Sequence, residues 1–347
     1  MGSKMENLQE TVQRNCHIAD ASHAGDYTLC IYLMKMREFF RWEAGEGFSA
    51  SLDNRQVGRW LREREALWES LESEEFAPMR IGEHEYDPFD SGAINAALRD
   101  DDLVYSGGLG INNKPHFFLA RLERYDQYNG YSLYVADKEL ARDLTSPPAM
   151  AQGNNIYIRR ESLKRMLWEK LESWNWNQPD NAMGKALGYY DFKGDVDQAL
   201  EAMTDNELET ILLHEIGEIR AGERLGQKWE ELLITLPYTK AELMLRAVRD
   251  HLADAITTLP ALLENGNEPS LHFYFGNLTH MRKHLSPSLM DAYRHWQESG
   301  HRARLEELAG RNEEHWSQLT EQILQIEPDP ERQYVAAIQD LIENNRL

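Results

Sequence analysis

The sequence predicts an α+β protein, mostly α-helical, with a small antiparallel sheet ahead of a long helical part. Three observations lead there. The first eighty residues place apolar side chains at helical spacing. The stretch from Asp102 to Leu140 alternates and is punctuated by Gly and Asn, which is strand patterning. From Thr204 onward helical spacing returns, broken at Pro237, Pro260, Pro269, Pro287 and Pro328.

Taken in order, "ADASHAGDYTLCIYLMKMREFFRWEAG" reads as one helix that stops at Gly45 and Gly47. "SLDNRQVGRWLREREALWESLE" offers Asp53 as the cap of a second amphipathic helix. The character changes near Pro78. Asn129-Gly130 marks a hairpin turn, and "NNIYIRR" is a further short strand after the loop "SPPAMAQGN". "GGLGINN" matches no phosphate-binding fingerprint and reads as a turn. "ESLKRMLWEKLESW" is helical, and a polar, glycine-containing linker follows Pro179. Trp174-Asn175-Trp176 reads as a packed helix end. This divides the chain into a helical part over 1–77, an α+β part over 78–203 and a helical part over 204–347.

Composition narrows the class of function. With 41% hydrophobic and 10% aromatic residues in 347, a sizeable core is expected. A formal charge of −22 repels nucleic-acid phosphates and anionic lipid, so neither nucleic acid nor membrane is expected as a partner. A small-molecule or peptide substrate fits better. Two cysteines are too few for a disulfide framework. Cys16 and Cys30 are expected on one helix, roughly 21 Å apart by helical rise, which excludes a bridge. The opening "MGSK" reads as a cloning remnant. No signal peptide and no bilayer-length apolar run is visible, so the expected location is cytoplasmic.

The chemistry concentrates in "TDNELETILLHEIGEIRAGERLG". Thr204 followed by Glu207 has the form of a capping box, which predicts a helix start at Thr204. On that helix His214 and Glu218 are one turn apart and share a face. Glu215 is rotated from His214 by about 100° and lies beside that face. His214 and Glu218 can grip one divalent metal. Zinc is the first candidate, and the carboxylate makes iron or manganese possible. The competing reading is a solvated i,i+4 pair, but the neighbours Ile211, Leu212, Leu213, Ile216 and Ile219 are apolar, where a lone charge is costly.

This H-E-I-G-E helix resembles the H-E-x-x-H active-site helix of the zincin metallohydrolases, with Glu218 standing where the second histidine would be. The resemblance covers about fifty residues and implies an order of elements in which a sheet precedes the helix. It also implies that Glu215 is the catalytic base and that the third ligand is an acid on a later helix. "LRAVRDHLADAITTLPALLE" supplies Asp250 for that role and Asp254, four residues on, as support for His214. Asp250 and Asp254 could instead pair with Arg246 and Arg249. The implied activity is hydrolysis of an amide or peptide bond by a metal-activated water.

A second constellation, "NCHIADASHAGD", holds Cys16, His17, Asp20 and His23, and could supply additional metal ligands or a Cys-His pair. Its plain reading is a helix terminus. Together with the H-E-I-G-E helix it resembles an uncharacterised bacterial family. "LHFYFGNLTHMRKHL" brings His272, Tyr274, His280, Arg282 and His284 into one stretch that could line a pocket or simply pack. Two alternatives to the hydrolase stay open. One is a carboxylate-rich di-metal oxidase, which lacks its paired E-x-x-H motifs; the other is a non-enzymatic metal-binding or interaction protein.

Overall fold

The computed structural model describes residues 2–110, 113–237, 239–329 and 333–347, with the side chains of residues 2–4 outside the description. The protein is α+β and mostly helical. It divides into two compact units. The first spans Met1–Glu169 and Asp191–Asp205; the second spans Lys170–Tyr190 and Asn206–Leu347. Residues 1–77 therefore share a unit with the strands. The reason is packing: the first helix buries Leu8, Val12, Cys16 and Ala19 among Leu103, Tyr105, Phe117 and Leu119 of the sheet.

In the first unit the chain runs through α1 (Gly2–His23), α2 (Leu29–Ala44) and α3 (Asn54–Leu71). The single helix expected over Ala19–Gly45 is broken. Ala24–Asp26 form one tight turn of helix and Thr28 is extended at φ −63°, ψ 150°, so Cys16 and Cys30 lie on different helices. Both are free, Cys16 buried and Cys30 exposed. Asp53 caps α3 by accepting from the Arg55 amide at 2.9 Å. A two-stranded ribbon follows, β1 (Met79–Ile81) and β2 (His84–Tyr86), then α4 (Ser91–Leu98).

The main sheet contains β3 (Leu103–Leu109), β4 (Pro115–Tyr128), β5 (Tyr131–Arg142), β6 (Ala149–Gln152) and β7 (Asn155–Arg159) in the order β3-β4-β5-β7-β6. It is not wholly antiparallel, because β5 and β7 pair in parallel. The β4–β5 hairpin turns at Asn129 and Gly130, whose φ values of 50° and 90° suit the Asn-Gly pair. The "GGLGINN" stretch is partly strand, since Gly107 and Gly108 belong to β3; Ile111 and Asn112 lie outside the described residues. Phe117 and Phe118 point to opposite faces of β4 and are both fully buried, so the sheet has a core on each side. The helix α5 (Arg160–Asn175) follows β7 directly.

In the second unit, α6 (Ala182–Leu187) is capped by Asn181. The long α7 (Val196–Thr235), whose residues through Asp205 belong to the first unit, is interrupted at Gly226, whose φ of 66° departs from the helix. It begins eight residues before Thr204, which corrects the expected helix start. The Thr204 hydroxyl donates to the carbonyl of Leu200, and Glu207 engages Ser270 rather than an amide of its own first turn. Then come α8 (Lys240–Ile256), α9 (Thr258–Asn265), α10 (Glu268–Asn277), α11 (His280–Leu285), α12 (Pro287–Ser299), α13 (Ala303–Leu324) and α14 (Gln333–Asn344). Start signals are local: Thr239 caps α8, Asn267 caps α10 and Pro287 opens α12.

One core cluster gathers Trp229, Met244, Val248, Leu285, Trp316 and Ile338 from α7, α8, α11, α13 and α14. A second joins α9, α10, α12 and the start of α13 around Phe275, Tyr293 and Trp296. Trp176, expected to pack, is 87% exposed. Among the described residues, no helix is long and apolar enough to cross a membrane.

Because Phe117 is fully buried, Phe117→Ala should lower unfolding free energy by about 3–5 kcal/mol. Urea denaturation of wild type and variant, followed by near- and far-ultraviolet circular dichroism, measures this.

Candidate functional site

The site is built where α7 and α8 cross in the second unit. Gly217 permits the approach: a Cβ there would lie 2.4 Å from the Ala253 carbonyl oxygen and 2.5 Å from Thr257 Oγ1. Thr257 ties the helices by donating to the Leu213 carbonyl at 2.7 Å. The charged groups lie within one turn of this crossing on both helices.

His214 Nδ1 bonds Asp254 Oδ1 at 2.8 Å, and Asp254 Oδ2 is held by the Arg282 guanidinium from α11. Asp254 is buried, whereas the His214 side chain keeps 34% of its exposure. Glu218 Oε2 meets Arg249 at 3.1 Å, and Arg249 also reaches Glu230. The other oxygen, Glu218 Oε1, is buried without a hydrogen-bond partner among the described residues. Neither aspartate pairs with Arg246 or Arg249: Arg246 bonds Glu242, and Asp250 makes no hydrogen bond or ion pair among the described residues. His251, between them in sequence, makes different contacts. Its Nε2 donates to the Arg282 carbonyl at 2.9 Å and its ring stacks on Trp316.

The electrostatics follow from this wiring. Burial opposes charge on His214, but the adjacent Asp254 outweighs it, with help from Glu218 and Glu215, and lifts the imidazole to about 10. Burial pushes Glu215 up to about 7, moderated by His214 and Arg249. Burial also raises Glu218, against the pull of Arg249 and with the push of Asp250. Asp254 is driven below the usual carboxylate range, because Arg282 and His214 overcome its burial. Burial and Arg282 lower His251 to about 3, so it is neutral.

The structure thus brings His214, Glu215, Glu218 and Asp254 into one electrostatic neighbourhood, with Asp250 near enough to act on Glu218. Among the described residues, no three His, Cys, Asp or Glu side chains are already gathered so as to hold a metal ion.

The N-terminal constellation does not converge. Cys16 Sγ donates to the Phe117 carbonyl at 3.2 Å, and burial pushes its thiol well above the ordinary value. His17 packs between Arg64 and Trp68, lowered to about 3 by burial and the Arg64 charge. Asp20 accepts the Leu144 amide on both oxygens, and His23 pairs with Asp26. Each residue leaves α1 toward a different neighbour. In the "LHFYFGNLTHMRKHL" stretch, His272 stacks on Trp296 and bonds Tyr293, so it belongs to a packed aromatic cluster.

Sequence reasoning missed several buried polar groups. Arg282 appeared only as part of a possible pocket lining, yet it holds Asp254. In the first unit, His116 bonds Asp143 at 2.9 Å, and Glu139 bonds Arg159 at 2.7 Å beside Ser146 and Ser162. Their charged partners are 20 to 28 residues away in sequence, so no local pattern could have found the pairs.

The chain belongs to the family of unknown function DUF6866: the family's N-terminal domain matches residues 7–159 and its C-terminal domain matches residues 164–345. No curated protein and no solved structure matches the chain.

Gly217→Ala should destabilise the crossing by about 1–3 kcal/mol through overpacking, read as a shift in denaturation midpoint. A pH effect follows from His214. Its folded value near 10 lies above the unfolded value of about 6.5, so its stabilising contribution is complete below pH 6.5 and is lost as pH rises through 10. Stability measured from pH 7 to 10 should therefore fall more steeply in wild type than in His214→Gln. Parallel curves would show that the imidazole is not charged in the folded protein.

Proposed function

We propose that the α7–α8 crossing is a metal-dependent hydrolytic site of the zincin type, acting on an amide or peptide bond. The observation that carries this reading is the 2.8 Å bond from His214 Nδ1 to Asp254. Such a bond fixes the ring and leaves Nε2 as the ligating nitrogen, the arrangement a histidine ligand uses. Glu218, one turn away, fits as the second donor because its buried Oε1 lacks a partner. Asp250 is the third donor on this reading, to be drawn in from a position where it already acts on Glu218. Zinc suits the mixed imidazole and carboxylate set, with iron or manganese as alternatives.

A divalent ion, when bound, supplies a lowered pKa to its water. The chain's own part is proton handling and positioning. Glu215, at about 7, takes and returns a proton near neutral pH, where a general base is most effective. Arg282 holds Asp254, and Asp254 holds the His214 ring.

A purely structural charge network is the second reading. It is favoured by the fact that Arg249 and Arg282 already answer Glu218 and Asp254. Elemental analysis after incubation with zinc, followed by dialysis, separates the two. The hydrolase reading expects one zinc per chain in wild type, loss of zinc in a folded His214→Ala, and retention in Glu215→Gln. In a screen of peptides and small amides, Glu215→Gln should lower turnover about 10²–10⁴-fold. No zinc in wild type would leave the structural network standing, and two metals with visible absorption would point to the di-metal oxidase.

A further inference from the structure

A cavity of about 650 Å³ opens in the first unit between α1, α2 and its following loop, β5 and the start of α5. That size is in the range of small-molecule sites, roughly 300–1,000 Å³. Most charges around it are internally satisfied. Arg41 pairs with Glu38 at 3.1 Å and donates to the carbonyls of Gly47 and Ala50. Glu43 is held by Arg64 at 2.6 Å, and Glu139 by Arg159. Lys138 and Glu46 are exposed and opposite in sign.

Arg165 is the exception among the lining groups. It is only 8% exposed, and its Nη2 donates to the Ser146 carbonyl and the Ser162 hydroxyl at 3.1 Å. Among the described residues no carboxylate lies within ion-pair distance of it. Glu161, one turn earlier on α5, does not offset the charge. Burial and the neighbouring Glu139 raise its carboxyl to about 7, leaving it partly neutral, and its Oε2 already accepts the Glu139 amide.

A second guanidinium lies behind the wall. Arg142 is 1% exposed, sits 5.0 Å from the Trp42 ring and leaves Nε and Nη1 without hydrogen-bond partners among the described residues. Buried cations without anions are costly, and an anionic ligand removes that cost. Trp42, Phe48 and Leu140 give the same cavity an apolar surface.

We propose that this cavity binds a small organic monocarboxylate, its carboxylate on Arg165 and its apolar body against Trp42 and Phe48. Arg165 Nη2 is already engaged by Ser146 and Ser162, so the carboxylate takes a charge-assisted hydrogen bond from Nη1 or Nε. A phosphate dianion is disfavoured because the single buried guanidinium of Arg165 would have to answer two charges in place of one. A partly protonated Glu161 can donate a hydrogen bond to a carboxylate, which a fully ionised one could not.

The test is calorimetric titration and thermal shift of the full chain with benzoate, phenylacetate and indole-3-acetate. Benzamide, phenylacetamide, indole-3-acetamide and inorganic phosphate serve as controls. At least one acid should bind, with its neutral amide at least tenfold weaker and phosphate not binding. Arg165→Gln should weaken that acid at least tenfold. Should Arg165→Gln fail to fold, Phe48→Ala, a substitution of a half-buried loop residue, carries the test and should weaken the acid severalfold. The proposal is overturned if no acid binds, if the amides or phosphate bind as well as the acids, or if the folded variants bind like wild type. No metal enters this experiment, so its outcome is independent of the α7–α8 reading.

Discussion

Asp254 is a carboxylate with almost no access to water, and its placement organises the second unit. It is answered from two other helices, by His214 of α7 and Arg282 of α11. Three helices are thereby fixed around one side chain. Removing one partner of such a network typically costs about 3–5 kcal/mol, because the remaining charge stays buried. The same constraint governs the first unit, where the side chains of Glu139 and Arg159 are both fully buried and share Ser146 as a hydrogen-bond partner, while Ser162 donates to Glu139.

The bond between His214 and Asp254 depends on how closely two helices approach. Gly217 lets the α7 backbone come down onto Ala253 and Thr257, and this places His214 and Asp254 within 2.8 Å. A larger residue at 217 would separate the helices before that bond could form. Glu215 is outside this fixed arrangement. It makes no bond to Asp254, and burial, with the Glu218 charge adding to it and His214 and Arg249 opposing it, raises its carboxyl to about 7. A rigid histidine beside a titrating glutamate is the physical content of the proposed hydrolytic site.

Three histidines take two different charge states. His17 and His251 are neutral because each sits in a buried site beside an arginine, and His251 also stacks on Trp316. His214 carries charge because acids surround it. Identical side chains thus acquire opposite states from neighbours that are distant in sequence.

That contrast also marks the division between what sequence alone determined and what folding decided. The α+β class, the Asp53 cap, the turn at Asn129-Gly130 and the shared face of His214 and Glu218 were legible in local order. Each rests on interactions spanning four residues or fewer. The start of α7 at Val196 was not legible, because the Thr204–Glu207 pair imitates a cap while Glu207 is claimed by Ser270 of another helix. Nor was the parallel pairing of β5 with β7, the dispersal of Cys16, His17, Asp20 and His23, or the choice of Arg282 over Arg246 and Arg249 as the partner of Asp254. A helix specifies which of its residues share a face; only the tertiary packing specifies which foreign side chain that face meets, and therefore which charges are answered and which are left to bind something else.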